Sequence, residues 1–528
     1  MLSTASRKAY GAYYTSDPVA RLISEWAVAA GDAVLDPSCG DGVFLAAAAA
    51  QGAHRVVGVE LSPLQATATA ARFVDNPTVE IVTSDFFAYE SDARFDAVVG
   101  NPPFIRYHAF NGAVRERALF TCARAGVKLS KLTSSWAPFV VGCGELLRDG
   151  GRMGLVLPAE LLHANYARPV LAYLRATFGT VMLITFRKRL FPDLSQDTLV
   201  LLASERGHGC NALLHVDAVD VEHISLEGLS ALGRHIDAGT YLGGARRMKE
   251  SFVDERALAI LERLMAAGHA YRLGDHASVD IGYVTGANEF FHLSGGRARD
   301  LGISDRYLVP TTYRGSSLSG LSYTIEDWTS GNETGDSGYL FTVPGARRLP
   351  AAVERYICFG EERGFAQRFK CRIRRPWYAF SGTTRPAGFL TSMSGGRPTI
   401  VANDANVYAS NSLHVLHPRG ADVGIRAMSL GWLSSVSALS IEIEGHALGG
   451  GLLKLEPGEA GRVMIPRVEG PYDHSFRIAD RLVRDGKIDA AGRFVDDYIG
   501  RAYGLTRDDF VCLRNATDAL RERRAKVR

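Results

Sequence analysis

The sequence lacks the features of a membrane or secreted protein. It has 528 residues but no uncharged apolar run of about 18, the length that crosses a bilayer. The N-terminal segment MLSTASRKAYGAYYTSDP lacks the apolar core of a signal peptide. With 46% hydrophobic and 22% charged residues, the composition is typical of globular proteins rather than disordered or fibrous ones. We therefore expect a cytoplasmic protein.

Closely spaced metal-ligating or disulfide-forming cysteines are also missing. The seven cysteines lie far apart and include no CxxC pair, at positions 39, 122, 143, 210, 358, 371 and 512. This spacing supports neither a disulfide framework nor a structural zinc site. We expect most of these residues to be buried apolar side chains, and we expect no bound metal.

The chain has little net charge, +3 in total, but this charge is divided unevenly along the sequence. Residues 1–240 carry 21 Lys and Arg against 24 Asp and Glu, whereas residues 241–528 carry 39 against 33. The net charges of the two parts therefore differ in sign, at −3 and +6. A basic second half can face a polyanion, although an excess of this size is common in proteins that bind no nucleic acid.

Short apolar runs alternate with helix-length segments through the first half. These runs are AVLD at 33–36, RVVGVEL at 55–61, VEIVTSD at 79–85, FDAVVGNPP at 95–103, GRMGLVLP at 151–158, VMLITF at 181–186 and TLVLLAS at 198–204. The pattern predicts a doubly wound α/β domain with a mostly parallel sheet. The glycine-containing segment 231–247 is typical of a linker or surface connection, so we predict domains at 1–240 and 241–528, the second of mixed α+β class.

A turn rich in Gly, Pro, Ser and Asp follows the first apolar run. In AVLDPSCGDGVFL (33–45), a strand ends in an acid and a turn opens into a helix. Glycines allow close approach of a ligand, and the first N–H groups of a helix are unpaired, which suits a nucleotide-like cofactor. A tight strand-to-helix connection is the structural alternative. The candidate cofactor residues of this turn are Asp36, Pro37, Ser38, Cys39 and Gly40.

Acids end the next two apolar runs. Glu60 lies twenty residues after Gly40, where an acid can accept hydrogen bonds from a ribose diol. Asp85 could accept from an exocyclic amine while Phe86 packs on a purine. A solvated strand-end acid, and a capping Asp followed by core aromatics, are the respective alternatives.

The segment FDAVVGNPPFIRY (95–107) carries the strongest chemical signal. Its two prolines fix a turn that presents one amide, one proline carbonyl and one aromatic face at a strand end. An exocyclic amine on a heteroaromatic ring is a poor nucleophile because its lone pair is delocalised. Two acceptors gripping its N–H bonds would bend it towards tetrahedral geometry while an aromatic side chain stacks on the ring. The candidate catalytic residues are Asn101, Pro102, Pro103 and Phe104.

Together with GAYYTSDPVARLI (11–23), these motifs resemble those of S-adenosylmethionine-dependent DNA adenine-N6 methyltransferases. The order of YYT segment, cofactor turn, NPPF and a late recognition region is similar to the gamma class of type II restriction-modification systems. Segments 280–291, 374–380 and 447–457 also look like parts of that recognition region. NPPF alone also resembles methyltransferases of ribosomal RNA guanine and of protein glutamine, so the YYT segment and the large second half favour DNA.

The resemblance implies a role for each matching residue. Thr15 would close over the methionine part of the cofactor, Asp36 and its turn would hold the amino-acid end, and Glu60 would bind the ribose. Asp85 and Phe86 would hold the adenine. Phe104 stands where the family more often has Tyr, and Phe191 stands where it has a second aromatic beside the extruded base, although a core Phe is the alternative. The implied partners are duplex DNA and a cognate restriction endonuclease, with the enzyme itself a monomer.

Three alternatives remain. An RNA amine methyltransferase would act on structured RNA, and a DNA-binding specificity protein would have a degenerate cofactor site, against which the intact motifs argue. A fused restriction methyltransferase would need a nuclease, but the motifs begin within fifteen residues of the start and no PD…(D/E)xK arrangement follows. In the second half, Arg372, Arg374 and Arg375 around Trp377 and Tyr378 are candidates for phosphate or guanine contacts, or for a charged loop beside buried aromatics.

Overall fold

The computed structural model describes residues 15–91, 93–130, 132–162, 165–191, 197–229, 233–244, 246–343, 348–380, 384–448 and 451–525. The chain divides into two compact units, the first ending at Phe252 and the second spanning Val253–Ala525. No helix among these residues combines the length and apolarity needed to cross a membrane.

The described residues of the first unit form a sheet of nine strands in the order β3-β2-β1-β4-β5-β7-β6-β8-β9. The strands are β1 Ala33–Asp36, β2 Arg55–Glu60, β3 Val79–Thr83, β4 Phe95–Gly100, β5 Leu147–Pro158, β6 Phe178–Phe186, β7 Thr198–Arg206, β8 Ala212–Ala218 and β9 Arg234–Asp237. Strands β1 to β5 pair in parallel, and β7 runs antiparallel between β5 and β6. All seven predicted strands are present, and the predicted α/β class is confirmed.

Helices connect the parallel strands and cover the sheet. They are α1 Asp17–Ala27, α2 Val43–Ala50, α3 Pro63–Arg72, α4 Gly112–Arg124, α5 Trp136–Leu146, α6 Arg168–Thr177 and α7 Ala238–Leu242. Successive strand residues enter different hydrophobic clusters: Leu35 and Val98 belong to one, whereas Val34 and Val99 belong to the other. Because the side chains of a strand alternate between faces, both faces of the sheet are buried. This explains the continuous apolar runs of the sequence.

The interpretation of 231–247 as a linker is wrong for its described part. Strand β9 pairs antiparallel with β8, and α7 follows it directly. Tyr241 on α7 is buried, and its hydroxyl donates to the carbonyl of Leu162 at 3.1 Å. The glycine content of the segment suggested a connection, whereas its residues 234–237 form a short edge strand that is only partly buried.

The second unit is mixed α+β, with four small sheets in its described residues: β11-β19-β15-β17, β12-β14-β13-β18, β16-β21-β20 and β10-β22. Its strands are β10 Ala270–Arg272, β11 Ala277–Ile281, β12 His292–Leu293, β13 Leu308–Thr312, β14 Ser337–Phe341, β15 Gly388–Thr391, β16 Met393–Ser394, β17 Ile400–Ala402, β18 Tyr408–Ala409, β19 Leu413–Pro418, β20 His446–Leu448, β21 Leu452–Lys454 and β22 Met464–Pro466. Separate apolar clusters pack beneath these sheets.

Helices fill the remainder of the second unit. They are α8 Glu255–Ala266, α9 Leu273–His276, α10 Asn288–Phe291, α11 Gly295–Asp300, α12 Ile325–Thr334, α13 Ala351–Glu362, α14 Phe369–Arg372, α15 Ile425–Trp432, α16 Ser435–Glu444, α17 Pro457–Ala460, α18 Asp473–Arg484, α19 Ile488–Tyr503 and α20 Arg507–Arg524. The C-terminal helix α20 is anchored by ion pairs to the buried Glu442 of α16, formed by Arg521 and Arg524.

Candidate active site

The predicted cofactor turn and the predicted NPPF turn follow neighbouring strands. Strands β1 and β4 pair in parallel at the centre of the sheet, so their carboxyl ends lie side by side. A Cβ atom on Gly100 would lie 2.9 Å from Oδ1 of Asp36 and 3.0 Å from Cδ of Pro37. Only glycine permits this close approach of the two strand ends. The strand order also changes direction here, the position where open α/β sheets bind ligands.

Carboxylates hold the backbone of the turn after β1. Oδ1 of Asp36 accepts a hydrogen bond from the N–H of Ser38 at 3.0 Å. Glu60 accepts from the N–H of Gly40 at 3.1 Å and, through its other oxygen, from the N–H of Ser62 at 2.8 Å. The acid at the end of β2 therefore connects the turn after β1 to the start of α3. This contact argues against the alternative of a merely solvated strand-end acid.

Two further residues of the turn, Pro37 and Cys39, are buried. Cys39 is only 4% exposed. The Cys39 thiol lies against β2, since a Cβ on Gly58 would come within 2.8 Å of its Sγ. Its N–H donates to the carbonyl of Val59 at 2.9 Å. Cys39 thus packs the turn onto the sheet, as a buried apolar residue does.

The electrostatics of this turn favour positive charge. Asp36 is 1% exposed, and burial raises the pKa of its carboxyl from 3.8 to about 8. The Ser38 N–H opposes the shift, while the negative charges of Glu60 and Asp41 add to it. A cationic group placed beside this carboxyl would lower its pKa again.

Asp85 and Phe86 begin a short 3-10 helix after β3. Asp85 caps it, accepting from the N–H of Phe87 at 3.2 Å, and its other oxygen accepts two bonds from Arg117 on α4 at 2.9 and 2.7 Å. The Phe86 ring is 6% exposed and stacks on Phe139 at 5.0 Å between centroids. The alternative of a capping Asp with core aromatics therefore describes their packing, and their role in cofactor binding stays a prediction.

The NPPF turn is tied to both predicted cofactor elements. The side-chain Nδ2 of Asn101 donates to Oγ1 of Thr15 at 3.1 Å, which fixes the plane of the carboxamide. The carbonyl of Asn101 accepts from Oγ of Ser38 at 3.3 Å. Thr15 is 8% exposed, and residues 11–14 of the YYT segment lie outside the described residues. The structure thus brings Thr15, Ser38 and Asn101 together.

Ser135, just before α5, was missed by reasoning from the sequence. Its hydroxyl donates to the carbonyl of Pro103 and accepts from the N–H of Ile105 at 2.8 Å. Its own N–H donates to the carbonyl of Ile105 at 3.0 Å. Ser135 is 1% exposed, and its hydrogen bonds fix the backbone of the NPPF turn. A serine before a helix signals an N-cap, but this side chain makes no cap hydrogen bond, so the signal would have suggested another role.

The two candidate stacking residues are both partly buried. Phe104 packs against the apolar clusters on both faces of the sheet. Phe191, beyond the end of β6, packs against the second of these clusters, and residues 192–196 that follow it lie outside the described residues. Pro102 is buried, whereas Pro103 and Phe104 are partly exposed. Packing alone therefore accounts for part of each aromatic surface.

The arginine candidates of the second unit separate into two kinds. Arg374 donates to the carbonyl of Val284 at 2.8 Å and lies over the rings of Phe291 and Phe380, so it has a structural role. Arg372 and Arg375 are exposed. Among the aromatics, Nε1 of Trp377 donates to Glu361 at 3.0 Å, and its ring contacts Tyr378 edge-on.

Family models match most of the chain. The N-6 DNA methylase model matches residues 1–218, and the model of the C-terminal domain of type II methyltransferase M.Eco57I matches residues 245–499. The chain belongs to the N-6 adenine DNA methyltransferases of type II restriction-modification systems. The predicted family, fold and enzyme class are therefore confirmed.

Several members of the family are similar over nearly their full length. The type II methyltransferase M.AccI of Acinetobacter calcoaceticus is 23% identical over 484 residues, covering 88% of this chain and 86% of the relative. M.XamI of Xanthomonas campestris pv. amaranthicola is 26% identical over 479 residues, covering 87% and 85%. Among solved structures, the type IIG restriction endonuclease BpuSI aligns with a TM-score of 0.45 at 14% identity, covering 95% of this chain and 67% of that structure.

Proposed function

We propose that this methyltransferase transfers a methyl group from S-adenosylmethionine to adenine N6 at a specific site in duplex DNA, after rotating the target base out of the helix. One observation carries the proposal. Ser38 of the cofactor turn donates to the backbone of Asn101 in the NPPF turn, so the two turns are in direct contact. A methyl donor and an amine held by these two turns would be neighbours, as in-line transfer requires.

The residues around β1 suit the proposed cofactor. Bound S-adenosylmethionine would supply an activated methyl group on a sulfonium, together with an ammonium group and a ribose. Asp36, with its raised pKa, would be stabilised as a carboxylate by this positive charge. Each Glu60 oxygen already accepts one backbone N–H but has a further lone pair for a ribose hydroxyl. Thr15 would cover the methionine part.

Asn101 and Pro102 would activate the amine. The hydrogen bond from Nδ2 of Asn101 to Thr15 orients the carboxamide, so that Oδ1 is the acceptor offered to a substrate N–H. The Pro102 carbonyl would accept the second N–H. As the nitrogen attacks, it gains positive charge, and these acceptors would bind that state more strongly than the neutral amine. The Ser135 hydrogen bonds would hold the backbone of the turn in place as these acceptors bind the amine.

A base inside a duplex cannot present its exocyclic nitrogen to this turn. Enzymes that act on single bases extrude the nucleotide, at a cost of a few kcal/mol for unstacking. We propose that Phe104 and Phe191 offset this cost by stacking on the extruded adenine. Both rings are partly exposed, which leaves surface for a base. Phe104 lacks the hydroxyl of Tyr but keeps the aromatic face.

The second unit would position the duplex and read its sequence. Residues 241–528 carry the positive excess of the chain, and long-range attraction to phosphates would supply most of the nonspecific affinity. We further propose that the protein acts as a monomer beside a restriction endonuclease of the same specificity. Light scattering of the protein with and without its duplex would measure the stoichiometry.

The test is methylation of a randomised DNA duplex, followed by sequencing that detects modified bases. We expect N6-methyladenine at one position of a defined sequence, with no requirement for added metal. Modification of cytosine, or of many unrelated sequences at equal rates, would contradict the proposal. Transfer to structured RNA with indifference to duplex DNA would support the RNA alternative instead.

A further inference from the structure

Residues 368–375 of the second unit, RFKCRIRR, form an exposed surface that the proposed chemistry does not use. Phe369 is 63% exposed and Ile373 is 62% exposed. The two are four residues apart around the single turn of α14, so their side chains lie on the same side of it. Exposing two large apolar side chains together costs hydrophobic free energy that burial against a partner would recover.

Two cations lie near the ring of Phe369, and a third follows in the sequence. The guanidinium of Arg372 lies 5.5 Å from the centre of the Phe369 ring, and Nζ of Lys370 lies 6.0 Å from it. Arg375 is also exposed. None of these three cations forms an ion pair with an acid in the part of the chain that the structure describes. Glu289 is paired with another residue of the segment, Arg368, at 2.6 Å.

The surface is held rigidly from behind. Sγ of Cys371, which is fully buried, lies 3.8 Å from the carbonyl of Thr285, and Arg374 is bonded to the carbonyl of Val284. A Cβ on Gly286 would lie 2.5 Å from Cβ of Lys370, so the two segments approach as closely as glycine allows. Cys371 and Arg374 therefore anchor the segment while the residues between and beside them face outward.

We propose that Phe369 and Ile373 form an apolar wedge that enters a groove of bound duplex DNA and presses on a base step. Lys370, Arg372 and Arg375 contact the flanking phosphates. Apolar side chains used in this way unstack a step and bend the duplex, and cations beside them meet the phosphates that the bend brings closer. The inference rests on the proposed action on duplex DNA, and it assigns part of the recognition to this surface.

The test compares the DNA affinity of variants of the full-length protein. The probe is a fluorescent, unmethylated duplex that contains the target sequence found with the randomised DNA. Affinity is measured by anisotropy at several salt concentrations. Phe369→Ala and Ile373→Ala should each weaken binding about ten-fold without changing the salt dependence. Arg372→Gln should reduce the slope of log K against log salt by about one. Phe369→Trp should restore affinity, because a larger apolar ring can still act as a wedge.

Two matched controls come from other exposed positions of the same unit. Ile325 is 53% exposed but is followed by Glu326 and Asp327, so Ile325→Ala should leave affinity unchanged. Arg477→Gln removes one exposed cation from α18 and should change the slope by less than Arg372→Gln. Energy transfer between dyes at the duplex ends should report bending by the wild type and a straighter duplex with Phe369→Ala.

The outcomes separate this inference from the proposed function. If wild-type protein neither binds nor methylates duplex DNA, the proposed function is wrong. If wild type methylates its site but Phe369→Ala and Ile373→Ala behave like Ile325→Ala in affinity and bending, the wedge alone is overturned. Unchanged far-UV circular dichroism and an unchanged urea midpoint of the second unit in every variant would show that each has folded.

Discussion

The two units expose the side chains that we propose to be functional to opposite degrees. In the first, Asp36 is 1% and Phe86 is 6% exposed, whereas in the second Phe369 and Ile373 are 63% and 62% exposed. A group that acts on developing charge gains from exclusion of water, because electrostatic interactions are stronger at low dielectric. A group that reaches a large partner must protrude from the surface. Burial therefore suits the proposed cofactor turn, and exposure suits the proposed contact with DNA.

Replacement of Asn101 should have the largest effect, because it removes an acceptor that matters chiefly in the transition state. We expect Asn101→Ala to reduce kcat about 10²- to 10³-fold, with little change in cofactor or DNA affinity. Single-turnover methylation and anisotropy measure the two quantities. The control is Asn111→Ala, which alters an exposed amide that makes no cap hydrogen bond at the start of α4. Near wild-type turnover of Asn101→Ala would show that the amine is activated elsewhere.

Phe104 should have the next largest effect, on capture of the extruded base rather than on transfer. Phe104→Ala removes a stacking face worth about 1–3 kcal/mol, so base extrusion should fall about 5- to 150-fold. A 2-aminopurine at the target position reports extrusion by its fluorescence. Phe104→Tyr and Phe104→Trp should restore most of the signal. Unaltered fluorescence and rate in Phe104→Ala would make this residue part of the core only.

The extent of the sequence predictions follows the same division. Seven strands were predictable because they are apolar runs, six of them largely buried and the edge strand β3 partly buried. Strand β9 was not, since three of its four residues, RHID, are polar and the strand lies at a sheet edge. The position of the motif residues at the ends of β1, β2 and β4 was predictable because each motif directly follows an apolar run, and their roles stay a prediction. The contacts of Thr15 and Ser135 with the NPPF turn were not, because they join residues 86 and 30 to 32 positions apart.

The end of the first unit gives a test of where the boundary between the two units lies. Met248 is 1% exposed in a cluster of the first unit, and Arg234 donates to the carbonyl of Ser251 at 3.0 Å. A fragment of residues 1–240 loses these contacts, and a fragment of residues 1–252 keeps them. We expect the shorter fragment to be less stable to urea by about 2 kcal/mol. Met248→Ala in the longer fragment should reproduce much of that loss, and equal stability of the two fragments would place the division near residue 240.

The smallest expected effect concerns the proton on Asp36. Its pKa is raised to about 8 by burial, so the carboxyl is mostly protonated at pH 7. Because an acid with a raised folded pKa stabilises the fold fully below its unfolded pKa, this contribution should be lost as the pH rises from about 4 to 8. A bound cationic cofactor would reverse the shift by stabilising the carboxylate. Cofactor binding at pH 7 should therefore release a proton.

Calorimetry at pH 7 in two buffers of different ionisation enthalpy measures that release. We expect about one proton per cofactor for the wild type and none for Asp36→Asn, which cannot ionise. Affinity of the wild type should also rise up to about ten-fold per pH unit below pH 8, since deprotonation prepares the site, whereas Asp36→Asn should lack this dependence. Asp41→Asn is the matched control, because Asp41 raises the pKa of Asp36 only through its charge and should leave the release in place. Equal proton release by wild type and Asp36→Asn would mean that the cofactor's positive charge is met by another group, and the buried acid would then serve only to hold the turn through Ser38.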